Sequence, residues 1–363
     1  MPFLSLSVVN FRNLDFDTIN LLGKEVYFVG ENGQGKSNIL EAIYMSSYAS
    51  SFRTRNENEI IKNGFDSYSV KGFFKENSEK TDIIKVTYCD SKKTIEKNNK
   101  KIKDRKELLN TIPCVLFCHD DLDFAVGEPE RRRFFIDQSL SMYDEKYLDT
   151  LRRYRHILKC RNSLIKEQSI KKENNREMIE LYNQSLIAEG LTIQKKRRYA
   201  ISQFNRIFGQ IYFDVTGIDN VSIFYDPSWK SNDENEISEF MMQKYDTDRV
   251  MNTTVYGPHR DRIKFIRNKQ PFIPTASTGQ RRLSALILRV AQASYYTEIT
   301  EKKPVLLMDD VFLELDPDKR EKIISLLPEY DQMFCTFLPG EPYERYMRNT
   351  TKLLKIDKGK WYE

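Results

Sequence analysis

The stretch Gly30-Glu-Asn-Gly-Gln-Gly-Lys-Ser-Asn38 decides how the rest of this chain of 363 residues is read. Gly30, Gly35, Lys36 and Ser37 fill the frame Gly-x-x-x-x-Gly-Lys-Ser, and Glu31, Asn32, Gly33 and Gln34 complete a loop whose backbone N–H groups can curl around an anion. Gly33 is an extra glycine that eases this inward turn. Before the loop, Glu25-Val-Tyr-Phe-Val29 is an apolar run suited to a buried strand; after it, Ile39, Leu40, Ile43 and Tyr44 recur at helical spacing. Strand, loop and helix in that order are the context a phosphate loop requires. The helix N-terminus adds partial positive charge, Lys36 reaches toward β- and γ-phosphates, and the Ser37 hydroxyl is placed to ligate Mg²⁺.

A second run belongs to the same chemistry. Val305-Leu-Leu-Met308 is apolar and ends in Asp309 and Asp310, as expected of a buried parallel strand whose C-terminal end opens on a ligand crevice. Asp309 is placed to hold Mg²⁺ through water, and Asp310 to orient or deprotonate an attacking water. Two aspartates can also simply cap a helix; Lys36 and Ser37 elsewhere in the chain favour the catalytic reading. Upstream, Ser277-Thr-Gly-Gln280 precedes Leu283, Leu286, Ile287 and Val290 on one helical face, so Ser277 and Gly279 begin another helix whose free N–H groups favour an anion. One nucleotide's phosphates are already cradled by the first loop. The second helix start is therefore expected to serve a nucleotide held by another copy, which predicts an ATP-dependent homodimer.

Lysine and arginine number 58 against 53 aspartates and glutamates, a net charge of +5 that says little about partners. Clustering says more. Arg53 with Arg55, Arg131-Arg132-Arg133, Lys195 to Arg198 and the lysines between Lys92 and Lys106 are patches of the type that neutralises phosphates. Each patch taken alone also fits a solvated helix face. Cys89, Cys114, Cys118, Cys160 and Cys335 are odd in number and scattered, lack the partners of a zinc site, and read as reduced core thiols of a cytosolic protein. No stretch approaches the ~18 apolar residues of a membrane span, and Met-Pro-Phe-Leu-Ser-Leu-Ser at the start has no basic region. Neither export nor a membrane is expected.

Strand-like runs lie at Leu4 to Val9, Tyr68 to Phe74 and Ile83 to Tyr88, with a hairpin expected over Lys92 to Lys103 about Asn98-Asn99. From about Glu130 to Phe208 glycine and proline nearly vanish. Leu151, Tyr154, Leu158, Leu181 and Leu186 there fit long amphipathic helices. A mixed region with the polar stretch Lys230 to Glu236 follows, and α/β character then returns.

Taken together, the phosphate loop, the Ser-x-Gly-Gln helix start, the apolar strand ending in Asp-Asp and the following Glu314-Leu-Asp316 resemble the ATP-binding-cassette heads of the SMC and Rad50 group. Further stretches resemble the RecF family within it: Asn10 to Leu14, Ser51-Phe-Arg-Thr54, Asp120 to Leu122 with Gly127, Arg131 to Asp137, Tyr154 to Asn162 and Gly257-Pro-His-Arg-Asp261. They run in order over nearly the whole chain. The resemblance implies an α/β fold, a P-loop ATPase head of the Rad50/SMC kind with an inserted, mainly helical arm. The expected division is residues 1–105 and 246–363 for the two lobes of the head and 106–245 for the arm.

Carried over by position, Gly30 to Ser37 bind the phosphates of ATP, Ser37 and Asp309 hold Mg²⁺, and Asp310 with Lys36 serves catalysis. Ser277, Gly279 and Gln280 lie against the γ-phosphate across the dimer, Asp316 is in the loop at that interface, and Arg12 resembles an arginine near the nucleotide. Arg53, Arg55, Arg131, Arg132 and Arg133 are candidates for DNA contact. Such proteins clamp DNA, duplex and gapped or single-strand junctions, as ATP-bound dimers. With RecO and RecR they promote loading of RecA in repair and SOS induction, with weak, DNA-stimulated hydrolysis. The chain departs from the family in reading Phe117-Cys-His-Asp-Asp-Leu122 where Phe-x-Pro-Glu-Asp-Leu is usual, in Ala276 before Ser277, and in having no histidine after Asp316. Asp310 replaces the longer glutamate of transporter cassettes. The rival classes are a P-loop kinase of a small molecule, which has no use for Ser277 to Gln280, a transporter subunit, which lacks the helical arm, and a long-armed chromosome organiser, for which the arm is too short.

Overall fold

Glu25–Val29 forms a strand buried at every position, and so does Val305–Met308. They belong to one six-stranded sheet in the order Lys360–Tyr362, Thr351–Asp357, Glu25–Val29, Gln332–Phe337, Val305–Met308, Cys114–Phe117. All neighbours pair in parallel except the outer Lys360–Tyr362. Apolar runs without alternation are what a parallel sheet covered on both faces demands. The computed structural model describes residues 3–75, 81–109, 111–171, 176–311 and 315–363, in two compact units: Met1–Asp121 with Gln292–Glu363, and Leu122–Ala291.

The first unit holds that sheet and an antiparallel one in the order Asp17–Asn20, Phe3–Val9, Tyr68–Lys75, Thr81–Cys89, Lys92–Lys97, Lys100–Lys101. The hairpin expected about Asn98-Asn99 is its last turn, with φ of 52° and 63° at the two asparagines, the positive pair that a two-residue hairpin turn needs. Helix Lys36–Tyr48 buries ten of its thirteen residues, among them Ile39, Leu40, Ala42, Ile43 and Met45. A helix apolar nearly all round has to be enclosed. Here it shares one hydrophobic cluster with Phe28, Leu307 and Phe334 of one sheet and Phe3, Leu6, Val70 and Val86 of the other. Gly72 permits the close approach, since a Cβ there would lie 2.8 Å from that of Ser46.

The second unit is mainly helical: Leu122–Val126, Pro129–Ser141, Glu145–Lys171 and Arg176–Thr216, then Glu234–Gln243 and Tyr245–Met251, with a three-stranded antiparallel sheet of Val221–Asp226, Arg262–Arg267 and Gln270–Pro271. Its bounds differ from the expected 106–245. Cys114–Phe117 pairs with Val305–Met308 and so stays with the first unit. On the other side, Arg262–Arg267 pairs with Val221–Asp226 and keeps the residues after 245 with the helices. The long helix also runs on to Thr216, past the Phe208 at which the helical pattern fades in sequence.

A buried polar network ties this unit together. Arg197 forks onto Asp137 at 2.8 and 2.9 Å and also reaches Asp261 at 2.9 Å and the Pro258 carbonyl at 2.7 Å. Tyr147 donates to Asp137, and Gln194 and the Ser228 N–H donate to Asp261. Asp137 and Asp261 end two of the family-like stretches, so those motifs here serve the fold. Removing one member of such a pair leaves an uncompensated buried charge, which costs far more than the pair contributes.

None of the five cysteines is in a disulfide, and only Cys114 and Cys335 are core thiols; Cys118 and Cys160 are half-buried and Cys89 is exposed. The expectation of five core thiols is corrected, because Cys89 ends a strand at a turn rather than pointing inward. Among the described residues no helix is long and apolar enough to cross a membrane.

Two outcomes test this packing. Gly190 sits inside helix Arg176–Thr216, where propensity alone favours alanine by about 1 kcal/mol. A Cβ there would meet the buried Trp229 ring at 2.4 Å, so Gly190→Ala is expected to lower stability by roughly 1–3 kcal/mol in urea unfolding, overpacking outweighing propensity. His259 donates from Nε2 to the Thr254 carbonyl at 2.9 Å, which makes Nδ1 the acceptor of the Tyr154 hydroxyl at 2.7 Å. Burial lowers the imidazole from 6.5 to about 4. Between those values the unfolded chain takes up a proton that the folded chain refuses, so stability falls as the pH drops. By pH 5 the loss should reach about 2 kcal/mol relative to neutral pH, and His259→Gln should remove that part of the slope in urea titrations across pH 7.5 to 5.

Candidate functional site

The phosphate loop leaves the end of Glu25–Val29 and is fixed at its first residue, where the Gly30 N–H donates to the Phe337 carbonyl at 3.2 Å. A Cβ at Gly30 would lie 2.3 Å from the Ile356 carbonyl oxygen, so glycine is required there. Gly33 and Gly35 have φ of 79° and 117°, and Gly35 hands the chain to helix Lys36–Tyr48. Helix geometry leaves the N–H groups of Lys36, Ser37 and Asn38 without intrahelical acceptors, a preset anion cradle. Lys36 is buried, and its ammonium caps the Gly30 and Glu31 carbonyls at 2.7 and 3.0 Å. Neighbouring residues brace the loop from outside. The Asn13 amide donates to the Gly33 carbonyl at 3.0 Å, Asn38 donates to Asn13 at 2.7 Å, and the Gln34 side chain accepts from the Lys358 N–H at 2.6 Å. Asn32 and the carboxylate of Glu31 remain exposed beside it.

Ser37 Oγ donates to Asp309 Oδ1 at 2.7 Å, joining the loop to the end of the Val305–Met308 strand. Burial pushes the Asp309 carboxyl up to about 6; the Ser37 hydrogen bond pulls it down and the charge of Asp310 adds to the rise. Two hard oxygens facing each other, one of them a desolvated carboxylate, suit a small divalent cation that keeps water among its ligands. Binding such an ion would restore the carboxylate form. Asp310 has φ of 53°, and Thr336 holds it in place: its Oγ1 accepts from the Asp310 N–H and donates to Oδ1, both at 2.8 Å.

Three residues of this neighbourhood carry no mark in the sequence pattern. Thr336 is one hydroxyl in an otherwise ordinary buried strand. Asn13 reads as part of a motif with no stated task. Glu341 lies on the turn after Gln332–Phe337, where Oε1 accepts from the Leu338 N–H at 2.6 Å while Oε2 has no hydrogen-bond partner among the described residues and lies 4.0 Å from the Arg320 guanidinium; the charges of Arg320, Asp310 and Lys36 all act on it.

Other expected residues are placed differently. Arg12 forks onto the fully buried Glu41 carboxylate at 2.9 and 2.8 Å and reaches the Glu59 carbonyl at 2.6 Å, so its guanidinium first neutralises a core charge. Arg53 donates to Asn38 Oδ1 at 2.7 Å, one residue from Ser37, which sets it beside the phosphate loop. Arg55 is exposed. Arg131 is exposed near Asp123, but Arg132 donates to the Gly127 and Ile263 carbonyls and Arg133 to the Asp261 carbonyl, so two of the three arginines fasten the second unit internally. Ser277 caps helix Thr278–Thr300: its Oγ accepts from the Gln280 N–H at 3.3 Å and its own N–H donates to Gln280 Oε1 at 2.8 Å, a reciprocal capping box. Ser277 and Gly279 are exposed, and nothing lies within 4 Å of a Cβ at Gly279. Asp316 starts helix Pro317–Ser325 and is held by Lys319 at 2.6 Å. Glu314 lies outside the described residues.

The family description "RecF/RecN/SMC N terminal domain" matches residues 3–360. A DNA replication and repair protein RecF from Treponema pallidum is 45% identical over 99% of this chain and 100% of its own length. One from Clostridium novyi is 32% identical over 99% of each. Among solved structures, the recombination mediator protein RecF with ATP, in the RecFOR pathway, superposes with a TM-score of 0.89 at 26% identity, covering 99% of this chain and 97% of that one. An SMC head bound to the winged-helix domain of ScpA, at 15% identity and a TM-score of 0.57, shares the fold. With the loop and strand carboxylates meeting as that fold requires, and relatives matched end to end, the chain belongs to the RecF family.

Proposed function

We propose that this protein is an ATP-switched recombination mediator of DNA repair, closing as a homodimer on DNA at gaps and acting with RecO and RecR to promote RecA loading. The observation that carries the reading is the 2.7 Å hydrogen bond from Ser37 to Asp309, which brings loop and carboxylates into one site in a RecF-family chain. Mg²⁺–ATP supplies the bond to be hydrolysed; Ser37 and Asp309 would hold the metal. The N–H groups from Gly33 to Ser37 hold phosphate oxygens. Lys36 exchanges its two carbonyl partners for phosphate charge, and Asp310 orients a water for in-line attack and receives its proton.

The exposed capping box at Ser277 supports the dimer. Ser277, Thr278 and Gly279 are exposed, and helix geometry leaves the Thr278 and Gly279 N–H groups without intrahelical acceptors, as an anion site completed by another copy requires. Arg55 and Arg131, exposed on their units, are the better placed of the candidate DNA contacts, and binding through such phosphate contacts would be steeply salt-dependent without reading sequence. Asp310 is shorter than glutamate and tied to Thr336, which favours weak hydrolysis that times release, stimulated when DNA settles the closed form. A small-molecule kinase would show turnover at full rate as a monomer, without DNA.

Two measurements decide the matter. Asp310→Asn should lower ATP turnover on the order of 100-fold or more, with ATP affinity unchanged and DNA released more slowly; unchanged turnover removes Asp310 from catalysis. The mass in solution should double with ATP and Mg²⁺ and stay doubled on gapped DNA. Ser277→Arg should abolish the doubling while leaving ATP binding to the single chain intact, and a dimer that persists in this variant would refute the shared site.

A further inference from the structure

The strands Glu25–Val29 and Gln332–Phe337, whose ends at Val29 and Phe337 carry the phosphate loop, also line a cavity of about 200 Å³ that runs from Glu25 and Met333 to Phe337. Its walls are mainly aromatic: Tyr27, Tyr330, Phe337 and Tyr346, with Met333 and Ile324. An apolar site of about 150 Å³ holds one benzene ring, so this one matches a single phenyl or leucyl side chain. The hydroxyls of Tyr27 and Tyr330 are already satisfied. Tyr27 donates to the Tyr346 carbonyl at 3.0 Å and Tyr330 to Glu25 Oε1 at 2.9 Å, leaving ring faces as lining.

Charge decides what else the occupant carries. The Glu25 carboxylate at the floor is 1% exposed, accepts from Tyr330 and from Thr350 at 2.6 Å, and has the Arg348 guanidinium at 3.5 Å. It is saturated and neutralised, so the cavity has no call on a cation. The mouth is basic. Arg345 lines it and is exposed, and its side chain has no hydrogen bond or ion pair among the described residues. Arg348 keeps 61% of its side chain in solvent, and the Lys24 ammonium lies 5.4 Å from the Tyr330 ring centre. Glu329, an exposed acid next to Tyr330 in the chain, is paired with Lys303 at 2.7 Å, while Glu344, next to Arg345, is also exposed.

We propose that this cavity docks a partner protein by taking one aromatic or leucyl side chain from an acidic segment whose carboxylates fall on Arg345 and Arg348. Anchor and charge divide the work: the buried ring supplies affinity and the arginines reject basic or neutral segments. None of the lining residues is among those proposed to hold nucleotide, so docking should leave nucleotide turnover unchanged.

The full-length protein is titrated against a labelled pentapeptide, acetyl-Asp-Glu-Phe-Asp-Glu-amide, by fluorescence polarisation. Replacing Phe by Ala, or the acids by lysines, should weaken binding at least tenfold. Met347 also lines the cavity and is exposed; Arg345→Glu, which reverses charge, and Met347→Trp, which fills the mouth, should each do the same with ATP turnover unchanged, which certifies folding. No binding at millimolar peptide, equal binding of the lysine or alanine versions, or indifference to Arg345→Glu overturns the proposal. Phe16, 76% exposed between Asp15 and Asp17, offers the same chemistry on the chain's own surface. Self-association abolished by Phe16→Ser and by Arg345→Glu alike would assign the cavity to a second copy instead and likewise overturn it.

Discussion

Everything at the phosphate site depends on Gln332–Phe337 pairing in parallel between Glu25–Val29 and Val305–Met308. Neighbouring strands lie about 4.8 Å apart, so one inserted strand sets the roots of the loop and of Asp309 roughly 10 Å apart. Side chains close the rest, and Ser37 and Asp309 do so at 2.7 Å. Direct pairing of the two outer strands would crowd the carboxylates into the phosphate cradle, while a second insertion would put them out of reach. The inserted strand also serves both neighbours. Its Phe337 carbonyl anchors Gly30, and its Thr336 hydroxyl anchors Asp310.

The sequence shows the parts of the site whose chemistry is local. A phosphate loop is legible because glycine is forced at Gly30 and at the positive φ values of Gly33 and Gly35, and those requirements concern the backbone of the loop itself. The apolar runs at Glu25–Val29 and Val305–Met308 are legible because a doubly covered strand has no polar face to show. Thr336, Asn13 and Glu341 are illegible for the opposite reason. Each acts on a residue far away in the chain, and no spacing rule links Thr336 to Asp310 or Asn13 to Gly33. The limits of the helical unit are illegible on the same ground: the strand Arg262–Arg267 belongs with the helices only through its pairing with Val221–Asp226.

Arginines show how far clustering by itself can mislead. Arg131, Arg132 and Arg133 form one run in sequence, yet helix geometry turns them to different surroundings. Arg132 and Arg133 donate to backbone carbonyls of Gly127, Ile263 and Asp261, and burial lowers both guanidinium groups. An arginine so used contributes packing and hydrogen bonds to the fold. Arg12 gives the same lesson from the other side. A buried Glu41 would be prohibitive without a partner, and the bidentate fork from Arg12 supplies it, with Ser51 and Arg53 adding to the same carboxylate. The two family-like stretches that contain Arg12 and Arg53 therefore converge on one residue of the helix that the phosphate loop begins.

The conformation of Asp310 bears on rate. A left-handed backbone costs a residue with a Cβ about 1 kcal/mol or more, and here the cost is offset by the two hydrogen bonds to Thr336. Those bonds fix the backbone and the carboxylate in place. A side chain one methylene short, held against the sheet by a hydroxyl, can take a proton efficiently only if water is brought to it. Closing of a second copy over the site is an event that would do so. On the proposed function, slow hydrolysis by the single chain and faster hydrolysis in a closed assembly would both trace to one geometric fact, the attachment of Asp310 to the strand that separates it from the phosphate loop.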